Sequence, residues 1–167
     1  GFVSIEVSPG AARDADLTRR EAKHLWEAVN RPNVMIKIPG TAEGVAVIKE
    51  MLALGININI TLLFSIANYE QVALAFIEAL EERMAAGKPV DKVASVASFF
   101  VSRVDSAVDK ELDARIEAAS DDATKAKLRG LKGKAAVANA KLAYVRFQEL
   151  FNSDRFAPLR AAGAKVQ

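Results

Sequence analysis

Four short apolar runs rich in β-branched residues begin near residues 2, 34, 56 and 93, and each is followed by a stretch with helical periodicity. Regular strand–helix alternation leaves few architectures open. Strands too apolar to be wetted on either face belong in a parallel sheet covered by helices, and right-handed crossovers put their C-terminal ends on one side. The expected class is α/β, as part of a (β/α)8 TIM barrel, whose active site lies on that side.

The first strand, Phe2 to Val7, alternates apolar and polar residues and stops at Ser8-Pro9-Gly10. Thr18 lies three residues before Glu21, the spacing of a capping box, ahead of a helix carrying Ala22, Leu25, Trp26 and Val29. Val34 to Ile38 is a strand running into Pro39-Gly40, and Thr41 to Leu54 a helix with Gly55 at its C′ position. Ile56 to Leu63 is the third strand, Ser65 caps a helix over Ile66 to Ala86, and Val93 to Val101 is the fourth strand. From about Asp105 onward the chain is alanine-rich, charged and helical. Asp121-Asp122 opens a second long helix there, Gly130 and Gly133 mark a weak point, and Phe151 to Asp154 breaks before a short last helix.

One domain is expected over residues 1–167, with four β/α units over 1–104 and a helical segment over 105–167. A closed barrel of this type has eight strands over about 250 residues. Four strands therefore read as the middle of a barrel cut at both ends.

A chain that is 51% hydrophobic and 26% charged can bury a substantial core. The net charge of +2, from 23 basic against 21 acidic residues, does not suggest a nucleic-acid partner. With no cysteine no thiolate metal site can be assembled, and a lone histidine argues against a histidine-built metal site or a Ser-His-Asp triad. His24, beside Leu25 and Trp26 in a helix, is expected to be structural. No apolar stretch reaches membrane-spanning length and the N-terminus lacks signal-peptide order, so no membrane partner is expected and the cytoplasm is the expected location.

One residue breaks the apolar logic of the second strand. Lys37 sits between Ile36 and Ile38, where a cation is costly unless it is paired or gives up its proton. Desolvation favours a neutral amine, which can attack a carbonyl to form a Schiff base. A buried lysine that snorkels out or meets a carboxylate is the commoner case, so the neighbouring strand has to decide. There Asn57, Asn59 and Thr61 recur every two residues and share one face. Three polar groups in phase on a buried strand point to a polar cavity.

Four segments then resemble the transaldolase family in its own order and at compatible spacing. They are Ser4-Ile5-Glu6-Val7, Met35 to Thr41 (MIKIPGT), Asn57 to Ser65 (NINITLLFS) and Ser98 to Asp105 (SFFVSRVD). The resemblance covers residues 2 to about 110. It implies a cofactor-free (β/α)8 enzyme that moves a dihydroxyacetone unit between sugar phosphates through a lysine Schiff base, in the pentose phosphate pathway. It further implies that Lys37 is the Schiff-base lysine and that Glu6 and Thr61 hold a catalytic water. Asn59 then binds the three-carbon unit, and Ser98 and Arg103 contact substrate hydroxyls and phosphate.

The chemistry of those residue types agrees. Carbinolamine dehydration and carbon–carbon cleavage need a proton shuttle that a carboxylate can provide, and a sugar phosphate suits an arginine fork. The family's first strand supplies an acid/base aspartate and its second an asparagine. Neither strand is found here, and Asp14, Asp16 and Asp105 do not occupy matching positions. The chain alone is accordingly expected to be inactive or nearly so, and its open strand edges to drive homo-oligomers. Two other readings stand beside this one: a fructose 6-phosphate aldolase-like enzyme, and a non-catalytic half-barrel whose helical tail binds a partner.

Overall fold

A computed structural model describes residues 1–167. Its strands are β1 (Val3–Glu6), β2 (Val34–Pro39), β3 (Ile58–Leu63) and β4 (Ser95–Phe99), and its helices α1 (Ala15–Val29), α2 (Ala42–Leu54), α3 (Ile66–Ala85), α4 (Ser102–Ala118), α5 (Asp122–Arg129), α6 (Ala135–Phe151) and α7 (Ala157–Ala161). The strands form one parallel sheet in the order β1-β2-β3-β4. This is the α/β arrangement of a partial TIM barrel, with the helical tail the sequence predicts.

Alternation along each strand sorts its side chains between two faces. Val34, Ile36, Ile38, Ile58 and Ile60 point into a single core with Val47, Ile48, Met51 and Leu52 of α2 and Val72, Phe76 and Leu80 of α3. Glu6, Lys37 and Asn59 occupy one level of the opposite face, because Glu6 pairs with Lys37 and Lys37 with Asn59 in register. The outer strands are less covered: Val3 on β1 is 66% exposed and Val96 on β4 is 38% exposed.

Local signals explain most helix ends. Thr41 accepts a hydrogen bond from the Gly44 N–H at the start of α2, Ser65 does the same for Asn68 on α3, and Gly55 closes α2 in the left-handed conformation. The first helix differs from expectation. Asp14, not Thr18, is its cap, accepting from the Leu17 N–H, after a short 3-10 turn over Pro9–Arg13. Thr18 is buried and donates to the Ala11 carbonyl at 2.7 Å, and Glu21 instead receives the Ser8 N–H and hydroxyl. A capping-box spacing was thus satisfied by tertiary contacts. His24 is exposed on α1 and carries no structural bond.

Three further boundaries move. The fourth strand is shorter than Val93 to Val101, and α4 starts at Ser102 rather than Asp105. The helix opened by Asp121 is short, eight residues, ending at Arg129. Behind the sheet, Arg83 is buried without a carboxylate; it donates to the Pro89 and Ala53 carbonyls, and burial lowers its pKa.

Candidate active site

Lys37 projects from the middle of β2 on the face away from the core, and its Nζ donates to Oε2 of Glu6 on β1 at 3.3 Å. Expected stripping of this amine from solvent is not what the sheet provides. The Lys37 side chain is 29% exposed and that of Glu6 is 49% exposed, because β1 is an open edge strand. The amine does face Glu6, at the level of Asn59.

Asn59 is the centre of a second, fully directed set of bonds. Its Nδ2 donates to the Ser4 hydroxyl on β1 at 2.9 Å, and its Oδ1 accepts from the Ser98 hydroxyl on β4 at 2.7 Å. In a flat sheet β1 and β3 would stand about 9.6 Å apart, twice the strand spacing. A bond of 2.9 Å across β2 requires a sheet that curls towards this face. Ser4 was not among the residues singled out in the sequence. The signal was available, since Ser4 precedes Glu6 by two residues and so shares its face.

Asn57 is corrected. It is 2% exposed, and its side chain bonds backbone rather than lining a hollow. Its Nδ2 donates to the Pro32 and Val34 carbonyls at 3.1 Å each, and its Oδ1 accepts from the Ala94 N–H at 2.9 Å. It ties together the beginnings of β2, β3 and β4, at the end of the sheet away from the strand C-termini.

Thr61 lies one step above Asn59, in register with Pro39, and is 1% exposed; its backbone carbonyl accepts from the Gly40 N–H. Its hydroxyl makes no hydrogen bond within the chain. Arg103 is exposed in the first turn of α4 rather than at a strand end, with its Cζ 4.7 Å from the centre of the Phe100 ring. The structure therefore brings together Glu6 with Lys37, and Asn59 with Ser98 and Ser4. Thr61 is adjacent in the sheet, and Arg103 stands apart at the rim. No group of histidine, cysteine, aspartate and glutamate side chains is arranged to hold a metal ion. No helix is long and apolar enough to cross a membrane.

A family model described as transaldolase/fructose-6-phosphate aldolase matches residues 1–162. The chain belongs to the transaldolase/fructose-6-phosphate aldolase family. Within that family it is 48% identical over its whole length to a transaldolase of Trichodesmium erythraeum, of which it covers 44%. It is 50% identical over its whole length to a transaldolase of Mycolicibacterium smegmatis, covering 43% of that protein. A relative named transaldolase 2, from a Nostoc species, is 47% identical with 44% covered. The chain thus spans less than half the length of these transaldolase relatives.

Proposed function

We propose that this chain carries the Schiff-base chemistry of a transaldolase, passing a dihydroxyacetone unit between sugar phosphates. The observation that supports it most is the Lys37 Nζ held 3.3 Å from the Glu6 carboxylate, level with Asn59 on the face opposite the core. In this reading the Lys37 amine attacks the C2 carbonyl of a ketose phosphate, and the carbinolamine loses water to give an imine. Glu6, through a water shared with the Thr61 hydroxyl, moves the protons that these steps require. As the C4 hydroxyl gives up its proton, the C3–C4 bond breaks, one aldose phosphate leaves as its aldehyde and the bond electrons enter the imine to leave an enamine on Lys37. The enamine then attacks the aldehyde of a second aldose phosphate, and water hydrolyses the resulting imine to release the new ketose phosphate and the free amine. Asn59 and Ser98 hold hydroxyls of the three-carbon unit, and Arg103 takes a phosphate. In this reading the chemistry belongs to the pentose phosphate pathway in the cytoplasm and calls for no cofactor.

Water reaches Lys37 and Glu6 in the open sheet. Hydrolysis of an imine open to water competes with cleavage of its carbon–carbon bond, so capture without efficient turnover is the expected behaviour. Sodium borohydride with fructose 6-phosphate is expected to leave a reduced adduct on Lys37, mapped by peptide mass spectrometry. Transfer to erythrose 4-phosphate is expected to run at least about 10²-fold slower than in a full-length transaldolase. No adduct overturns the Schiff-base reading, and turnover equal to the full-length enzyme overturns the impairment.

The unpaired edges of β1 and β4 also favour self-association of this chain. Light scattering at micromolar concentration is expected to give a mass above 18.0 kDa; a monomer there rules self-association out.

A further inference from the structure

The sheet is half of a closed shape and is already bent for the other half. A barrel of this class has eight parallel strands; here four lie in sequence order, with β1 and β4 left as edges. Register sets Asn59 level with Lys37 and Glu6, yet its Nδ2 bonds Ser4, two residues before Glu6. A ring of side chains around the barrel axis therefore climbs two residues in two strands. One residue per strand makes a stagger of about eight around eight strands, the value at which a barrel of this type closes.

Hydrogen bonding on the inner face stops at both edges. Ser98 donates to Oδ1 of Asn59, and Asn59 donates to Ser4. On β1 the Ser4 hydroxyl proton has no acceptor within the chain, and on β4 the Ser98 oxygen has no donor. Apolar residues are stranded in the same way. Val96 turns to the inner face, level with Asn59, and is 38% exposed. Val3 turns to the helix side and is 66% exposed. Also on the helix side, a groove opens beside Ala97 and Phe99 of β4, walled by Tyr69, Tyr144 and Phe147.

We propose that two copies of this chain join edge to edge, β4 of each beside β1 of the other, into one eight-stranded barrel whose site each completes. A twofold axis along the barrel keeps all eight strands parallel. Four strands per copy is an even number, so the odd-and-even alternation of the interior layers carries across both seams. The stagger fixes the seam register: Ser98 falls beside the partner's Ser4, and Ala97 beside the partner's Val3. The Ser4 proton then meets the partner's Ser98. Three side chains from each copy form a ring in which every hydroxyl donates once and accepts once. The partner's Val3 enters the groove beside Ala97, and the closed interior covers Val96. Lys37 and Glu6 come in equal number from the two copies, so closure buries no net charge. Only the effect on Lys37 rests on the Schiff-base reading above: closure screens that amine from water.

The chain has no cysteine, so introduced ones report the seam directly. Val3→Cys co-expressed with Ala97→Cys is expected to cross-link through a short bis-maleimide, while either variant alone gives no cross-link. Sedimentation equilibrium at micromolar concentration is expected to give twice the 18.0 kDa of one chain and nothing larger. Ala94 and Phe100 turn their backbone groups to β3, so by alternation the Ala97 N–H points out of the edge. Ala97→Pro removes that donor without removing a bond inside the chain. It is expected to lower the mass to 18.0 kDa with unchanged circular dichroism. It is also expected to raise the fructose 6-phosphate concentration for half-maximal borohydride capture at Lys37 at least about threefold. A monomeric wild type, a ladder of larger masses, or cross-links within Val3→Cys alone overturn the barrel. Cross-links without capture in any form leave the barrel standing and remove the Schiff-base reading; capture without cross-links removes the barrel alone.

Discussion

Lys37→Met, incubated with dihydroxyacetone and borohydride, is expected to gain no reduced adduct, while the wild-type chain is expected to be labelled at that residue. The loss is complete because a thioether has no nitrogen with which to form an imine. Folding is not expected to blur this result. Lys37 and Glu6 form a pair with 29% and 49% of their side chains exposed, and pairs of that kind contribute about 0–1 kcal/mol. Methionine is unbranched and close in length, so it fits the same strand position. Urea unfolding of the variant should therefore shift by no more than about 1 kcal/mol. Other lysines provide the control. Lys49 is held by Glu78 and Glu82, and Lys23 by Glu50, all remote from the face that bears Lys37. Labelling that survives the substitution would mean that ordinary surface amines are being captured, and the assignment of Lys37 would fall.

Gly44→Ala has the largest expected effect on stability. Gly44 is buried in the first turn of α2, and a Cβ there would stand 2.1 Å from the Pro39 carbonyl oxygen and 3.1 Å from the Thr41 hydroxyl. The first contact is with backbone at the end of β2, so no flexible side chain can swing aside. Alanine improves helix propensity over glycine by about 1 kcal/mol. Overpacking costs about 1–3 kcal/mol and more where nothing can yield, so the clash wins. A net loss of about 2–3 kcal/mol in urea unfolding is expected, together with weaker capture at Lys37, two residues before Pro39. A neutral or stabilised variant would show that α2 can slide away from the strand.

Much of the architecture was readable because burial left a periodic trace. Ile36, Ile38, Ile58 and Ile60 are all inside the core, and each precedes a segment whose cap, Thr41 or Ser65, works through its own side chain. Thr18 misled for the reason Asp14 succeeded. Both types can cap a helix, and only the fold places Ala11 where the Thr18 hydroxyl reaches it. The role of Asn57 was equally hidden. Strand alternation puts it in phase with Asn59 and Thr61, but no local pattern says that the backbones of Pro32, Val34 and Ala94 converge on its amide. Pairing of Glu6 with Lys37 and of Asn59 with Ser98 follows from strand order. Exposure of Lys37 does not, because a residue flanked by isoleucines is shielded on one face only.

Ser4 and Ser98 stand on the two outermost strands, yet both clasp the amide of Asn59 between them. That side chain works as a gauge of how tightly the ribbon of strands is rolled. Any force that unrolls it, such as prising away β1, pulls the two hydroxyls apart and lets the amide spin, exchanging its donor for its acceptor. Shape and chemistry would then fail together, and an isotope label on one asparagine nitrogen would register both.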